Sequence, residues 1–332
     1  MRFLILGTGY IGPINTKALM ACENVEIAGV CNRTGEKAVN MCRDLGLACP
    51  VYTDWKEALD TVRPDAAVIN VFNDLHKEYF LECASRGIHV LVEKPLANLY
   101  EDCQEMIRAA KQAGIRVSVL QTQRYGSVLA TGKKYIAEHR EELGQLCGIQ
   151  DYLSCNYFWQ GRNPWHLDDK RSGGGIVLNY GVHQLDRIHW FLEDSTVQFH
   201  ARYLKKKEGI DTLSSYVMMG VSTGGIPYTA ACCGYSDPDI NEMTLNFTNA
   251  TLRLVLGGGG LMTKGVYVGT TGSGQMTSLP LCCEDGEGMH QMYVREMKDA
   301  VAYLNSETDT APIPLEWSAE VVRLCRKGFE NL

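Results

Sequence analysis

Between Ser172 and Asp186 the chain reads SGGGIVLNYGVHQLD, three glycines and then Asn179, His183 and Asp186 at spacings of four and three. On a helix those spacings put polar side chains on one face. An imidazole titrates near neutrality, so His183 is suited to take a proton from a hydroxyl as hydride leaves the same carbon. Asn179 can hold an imidazole or a hydroxyl by hydrogen bonds, but it has no charge with which to stabilise an imidazolium. Asp186 reads either as a carboxylate supporting that pair or as a purely structural group. Just upstream, NYFWQGRNPWHLDDKR carries Trp159 and Trp165, whose rings could stack on a sugar face. Arg162, His166, Lys170 and Arg171 in the same stretch could bond hydroxyls or a carboxylate. Core aromatics and solvated charges are the competing reading of the same residues.

Positioning such groups falls to the elements around them. FLILG, VEIAGVC, AAVINVF, HVLVEKP and RVSVL are β-rich runs separated by helical periods, the first from about Ile11, then EKAVNMCRDLG, LHKEYFLECASRG and YEDCQEMIRAAKQAG. This alternation demands right-handed crossovers and a doubly wound parallel sheet, so residues 1–120 are expected to form a Rossmann-like α/β domain. In GTGYIG, Gly7, Gly9 and Gly12 follow the first strand and open the first helix. That context suits a dinucleotide. Gly7 allows a tight turn, Gly9 admits a pyrophosphate, Gly12 allows close helix–strand packing, Tyr10 and Ile11 lie along the turn, and the helix N-terminus faces the anion. After the second strand stands CNRT in place of a carboxylate. Asn32 and Arg33 remove repulsion against a 2′-phosphate and supply a cation for it, which tilts the cofactor toward NADP over NAD. An Asn bonding a 2′-hydroxyl and an Arg stacked on adenine would suit NAD instead. Lys94 lies at the carboxyl end of a strand, the side on which doubly wound sheets bind ligands, where an ammonium can polarise a carbonyl and steady an alkoxide.

Residues 121–332 read differently. A helix over ATGKKYIAEHREELG precedes the glycine segment, and period-two runs follow at VQFHARYLKK, TLSSYVMMGV, IPYTAACCGY, EMTLNF and TLRLVL. They predict an α+β domain on a large open, mainly antiparallel or mixed sheet. GGGG at Gly257 and GTTGSGQ from Gly269 read as loops, and helices over YVREMKDAVAYLN and from Trp317 close the chain. The 332 residues carry a formal charge of −7 with scattered basic positions, which argues against nucleic acid as a partner. Thirteen cysteines without a C-x-x-C motif point to a reduced, cytoplasmic protein without a metal site. MRFLIL is too short for a signal sequence, and no later apolar run is long enough to span a membrane.

Taken together, GTGYIG, FNDLHKEYFLECASRGIHVLVEKPLA and SGGGIVLNYGVHQLD resemble the Gfo/Idh/MocA oxidoreductases, named for glucose-fructose oxidoreductase and inositol dehydrogenase. The likeness spans nearly the whole chain, and its most specific element is E-K-P followed by G-G-G and G-x-H-x-x-D. It implies hydride exchange between NAD(P) and a hydroxyl-bearing carbon of a sugar, cyclitol or derivative. It also implies a homodimer or homotetramer formed through the sheet of the second domain, residues 121–332. By the same resemblance Lys94 is the active-site lysine, Glu93 lies beside the nicotinamide ribose, Pro95 holds a rigid and commonly cis turn, and His183 is the proton acceptor. Asn73 and His76 match the loop that approaches the cofactor, and Trp165 precedes the glycines close to it. Gln123, Arg124 and Tyr125 line the ligand cleft, and Gly173, Gly174 and Gly175 let the chain pass beneath the nicotinamide. Relatives commonly have aspartate where Asn179 stands, so His183 is expected to be less basic or Lys94 to carry more of the proton transfer. Two alternatives remain: a redox-neutral NAD-dependent glycosidase that oxidises, eliminates and reduces in one cycle, and a dinucleotide-binding regulator without catalysis.

Overall fold

Strands form where short apolar runs alternate with helical periods, in the order that the sequence predicts. The computed structural model describes residues 1–205, 212–258 and 263–329, and the elements named are those of these residues. They are β1 (Arg2–Leu6), α1 (Ile11–Leu19), β2 (Glu26–Cys31), α2 (Gly35–Leu45), β3 (Val51–Tyr52), α3 (Trp55–Val62), β4 (Ala66–Ile69), α4 (His76–Ser85), β5 (His89–Glu93), α5 (Tyr100–Ala113) and β6 (Val117–Leu120). Then come α6 (Ser127–Glu138), α7 (Arg140–Leu143), β7 (Leu146–Asn156), α8 (Asp169–Ser172), α9 (Val182–Leu192), β8 (Thr196–Leu204), β9 (Ser215–Ser222), β10 (Pro227–Cys233), β11 (Tyr235–Phe247), β12 (Ala250–Gly258), β13 (Gly265–Thr270), β14 (Thr277–Leu279), α10 (His290–Leu304) and α11 (Leu315–Arg326).

The chain forms two compact units, Met1–Thr122 with Gly286–Val322, and Gln123–Asp285 with the chain from Arg323 onward. In the first, a six-stranded sheet runs β3-β2-β1-β4-β5-β6 with every pairing parallel. Period-two alternation sorts its residues between two cores. Leu4, Leu6, Ala67, Ile69, Val90 and Val92 face one core, and Phe3, Ile5, Ala66, Val68 and Leu91 face the other. A strand buried on both faces must be apolar throughout, as AAVI of β4 is. A single cut after residue 120 needs correction. Met297, Ala300, Val301 and Leu304 of α10 complete the second of these cores beside Ala18 and Leu19 of α1, so residues 286–322 return to the first unit. β3 and α3 are absent from the sequence reading. β3 has two residues, and α3 is short, opened by Asp54, which accepts from Lys56 N and Glu57 N at 2.8 and 3.0 Å.

The second unit is built on an eight-stranded sheet, β14-β13-β12-β11-β7-β10-β9-β8. All pairings are antiparallel except β7 with β10, so the sheet is mixed. Its central strand β7 was not read from the sequence, because Gly148 and the buried Asp151 interrupt the apolar alternation. Both stretches taken as loops begin in strand: Gly257 and Gly258 end β12 before residues 259–262, which lie outside the described residues, and Gly269 and Thr270 end β13, with β14 following the turn. Among the described residues no helix is long and apolar enough to cross a membrane.

Candidate active site

Leu6 pairs with Cys31 and Ile69, and Ile69 with Val92, so the segments that follow leave the first sheet along one carboxyl rim. Gly7, Asn32, Asn70, Glu93 and Lys94 are thereby gathered from four strands. Gly7 has φ +100°, and a Cβ there would lie 2.5 Å from the Asn70 carbonyl oxygen. A Cβ on Gly12 would lie 2.5 Å from the Gly7 carbonyl oxygen, whereas one on Gly9 would meet nothing within 4 Å. Packing therefore requires Gly7 and Gly12, while Gly9 faces the open space that a pyrophosphate would need. The first turn of α1 contains no acidic residue, and Tyr10 at its start is 90 % exposed, with Ile11 next to it. Arg33 is exposed and makes no ion pair among the described residues, and Asn32 Nδ2 donates to Thr34 O at 3.1 Å.

Behind this rim lies a polar group that the sequence reading missed. Asn15 of α1 is fully buried, and its Nδ2 donates to Asn70 Oδ1 at 2.9 Å and to Glu93 Oε1 at 2.8 Å. The signal for it was an amide on the sheet-facing side of α1, three residues after Gly12. Lys94 N donates to Glu93 Oε2 at 3.2 Å. Burial pushes the Glu93 carboxyl up, opposed by the Lys94 charge and the Asn15 amide. Burial pushes the Lys94 ammonium down, opposed by Glu93, which favours proton exchange closer to neutrality. The Lys94–Pro95 bond is cis.

Asn73 is buried in a short 3-10 turn before α4. His76 corrects the expectation that it touches cofactor. The ring is fully buried, Nδ1 lies 2.9 Å from Pro95 O and Nε2 3.2 Å from Val71 O, so it ties two loops together and leaves no surface for a ligand.

In the second unit the glycine segment does not pass directly into one α-helix. A π turn, Val177–Gly181, precedes α9, and Asn179 sits in that turn while His183, half-buried, opens the helix. Such turns occur disproportionately at functional sites. The glycines have a packing cause: Gly174 and Gly175 have φ +127° and +55°, and Cβ atoms there would strike Phe329 and Thr212. Asp186 has a structural partner, one of the two roles that the sequence left open for it. Its carboxylate takes two bonds from Arg124, Nε at 2.8 Å and Nη2 at 2.6 Å. The adjacent Arg187 is bound to Asp151, Asn241 and Gln123, so the Gln123 side chain belongs to a polar network under α9. Arg162 lies over the Tyr157 ring with its Cζ 3.9 Å from the centroid, and Trp165 stacks on His166 at 3.8 Å. The Tyr157 hydroxyl is buried, and Asn179 restrains the upward push of burial on it, although that pair falls short of a hydrogen bond of ordinary geometry. Arg162 and Asn179 are thus brought together around Tyr157.

Residues 1–121 match the family model described as "Oxidoreductase family, NAD-binding Rossmann fold", and residues 136–253 match the GFO/IDH/MocA C-terminal domain. The 1,5-anhydro-D-fructose reductase of Ensifer adhaerens is 28% identical over 196 residues, 59% of this chain and 58% of that protein. The inositol 2-dehydrogenase/D-chiro-inositol 3-dehydrogenase of Halalkalibacterium halodurans is 26% identical over 234 residues, 69% of this chain and 64% of that protein. In both cases the matched stretch spans less than two thirds of the relative's length. Levoglucosan dehydrogenase, solved with NADH and levoglucosan, superposes with TM-score 0.85 at 16% identity, covering 99% of this chain and 96% of that one. At that identity the likeness establishes the shared fold.

Proposed function

This chain belongs to the Gfo/Idh/MocA oxidoreductase family, and on that premise we propose that it is an NAD(P)-dependent dehydrogenase or reductase acting on a sugar, cyclitol or sugar derivative. The observation that carries the reading is the buried Asn15–Glu93 pair, with the half-buried Lys94 next in sequence, at the rim where Gly9 opens to space. Gly7, Gly9, Gly12 and the start of α1 would hold the pyrophosphate, with Asn32, Arg33, Asn73 and Glu93 serving the rest of the dinucleotide. Bound nicotinamide supplies the hydride acceptor or donor. Lys94 polarises the oxygen at the reacting carbon and steadies negative charge on it, and His183 accepts the hydroxyl proton. An exposed Arg33 without an acidic partner, following a strand that ends without a carboxylate, supports NADP.

The outward face of the second sheet supports a homo-oligomer. Tyr152, Ala231 and Val217 align across β7, β10 and β9, and Tyr152, Val217 and Met219 are each more than two-fifths exposed. A second copy of the chain would cover this row, and light scattering would report the mass. Thirteen cysteines without a C-x-x-C motif fit a reducing cytoplasm. The enzymatic reading is tested by nicotinamide absorbance across a sugar and cyclitol panel with NAD and NADP. Turnover with any compound supports it. Tight dinucleotide binding with cleavage of a glycoside and no net absorbance change would favour the redox-neutral cycle instead.

A further inference from the structure

Arg162 is a half-buried cation without a counter-ion among the described residues. Its Nε is buried and donates to nothing among the described residues, and it forms no ion pair there. Its Nη2 reaches the Tyr180 hydroxyl at 3.5 Å, the outer limit of a hydrogen bond. The face of Tyr157 lies against the guanidinium and gives a weak electrostatic partner, less than a carboxylate would. Withdrawing a guanidinium from water is costly unless something ionic meets it, and among the described residues no side chain of the second unit does so.

The surroundings define what would. Asn179 and Tyr180 come from the π turn one helical turn before His183, and Tyr157 follows the end of β7. These residues supply one amide, one phenol and one planar guanidinium fork, a donor set that matches the two oxygens of a carboxylate. A phosphate dianion would leave a net negative charge against Tyr157 and Tyr180, because the group holds a single cation. The Cys155 thiol belongs to the same cluster. Cys232 loosens its proton first by hydrogen bonding, and the Arg162 charge and the Tyr180 hydroxyl add to the effect.

We propose that Arg162, with Asn179 and Tyr180, is a carboxylate subsite, and that the substrate is a sugar acid rather than a neutral sugar. The proposal deepens the dehydrogenase reading and rests on it for the reaction, but binding at the subsite can be measured separately. The experiment compares aldonic and uronic acids with their neutral amides and with sugar phosphates, in wild type, Arg162→Gln and Arg162→Lys. Nicotinamide absorbance gives kcat/KM, and titration calorimetry gives acid binding. The expected result is preference for an acid over its amide. Arg162→Gln should lower kcat/KM for the acid about 10–100-fold, mostly through KM, the loss expected for a charge-assisted hydrogen bond. The same variant should cost the amide markedly less than the acid, because a neutral carbonyl loses only an uncharged acceptor's bond, and Arg162→Lys should fall between. Equal use of acid and amide, equal losses on both in Arg162→Gln, or preference for phosphates would overturn the subsite. Acids that bind in the calorimeter and lose binding in Arg162→Gln, with no turnover on any compound, would keep the subsite and remove the dehydrogenase reading. Acids that do not bind at all would remove the subsite.

Discussion

Asp151→Asn removes one charge from a pair shielded from water. The side chains of Arg187 and Asp151 are 1% and 0% exposed. The carboxylate accepts from Arg187 Nε, from Arg187 Nη2 at 2.5 Å and from Gln184 Nε2 at 2.5 Å. After the substitution Arg187 keeps Asn241 Oδ1 at 2.9 Å and Gln123 Oε1 at 3.3 Å, both neutral acceptors. An uncompensated buried charge costs about 3–5 kcal/mol. At roughly 2–4 °C per kcal/mol for a unit of this size, its melting transition should fall by about 6–20 °C in scanning calorimetry. Asp151→Leu with Arg187→Met removes both charges at similar volume and should recover most of that loss. Arg187 follows His183 by one turn of α9, so Asp151→Asn should also reduce turnover more than dinucleotide affinity. A single variant within about 1 kcal/mol of wild type, or a double variant less stable than the single, would refute the reasoning.

Lys94→Ala and His183→Ala should each lower turnover roughly 10²-fold while dinucleotide affinity stays within a few-fold, and wild-type turnover in either removes that residue from the chemistry. Burial depresses the Lys94 ammonium below its ordinary 10.5, so the charge that polarises the reacting oxygen should be lost, and an alkaline limb begin, below that value, and that limb should vanish in the alanine variant. Arg33→Ala should weaken NADP more than NAD, and equal losses refute a 2′-phosphate contact. His76 is held below its ordinary 6.5, chiefly by burial, so its contribution to stability is present above pH 6.5 and lost as pH falls through the depressed value. Melting curves of wild type should therefore steepen with acid relative to His76→Asn, and parallel curves would count against this.

Much of the first unit was legible because its causes are local. Alternating β-rich and helical periods determine a parallel sheet, and GTGYIG places a glycine turn where a strand becomes a helix. The same logic located Lys94 at a strand end. Elements escaped where local signals were weak, as in the two-residue β3, or contradicted, as in β7, whose Asp151 looks like a surface residue until Arg187 of α9 is packed against it.

The sequence by itself determined the alternation, the glycine turn and the residue types available for proton transfer, since these follow from periodicity and side-chain chemistry within a few positions. Only the tertiary structure decided which polar groups meet. It paired Asp186 with Arg124, buried His76 between Val71 and Pro95, set Asn15 on Glu93 across 78 positions of sequence, and laid Arg162 over Tyr157 with no counter-ion among the described residues. Those outcomes depend on burial and on contacts between distant segments, and a buried charge or amide takes its partner from whatever the packed chain brings within hydrogen-bond reach.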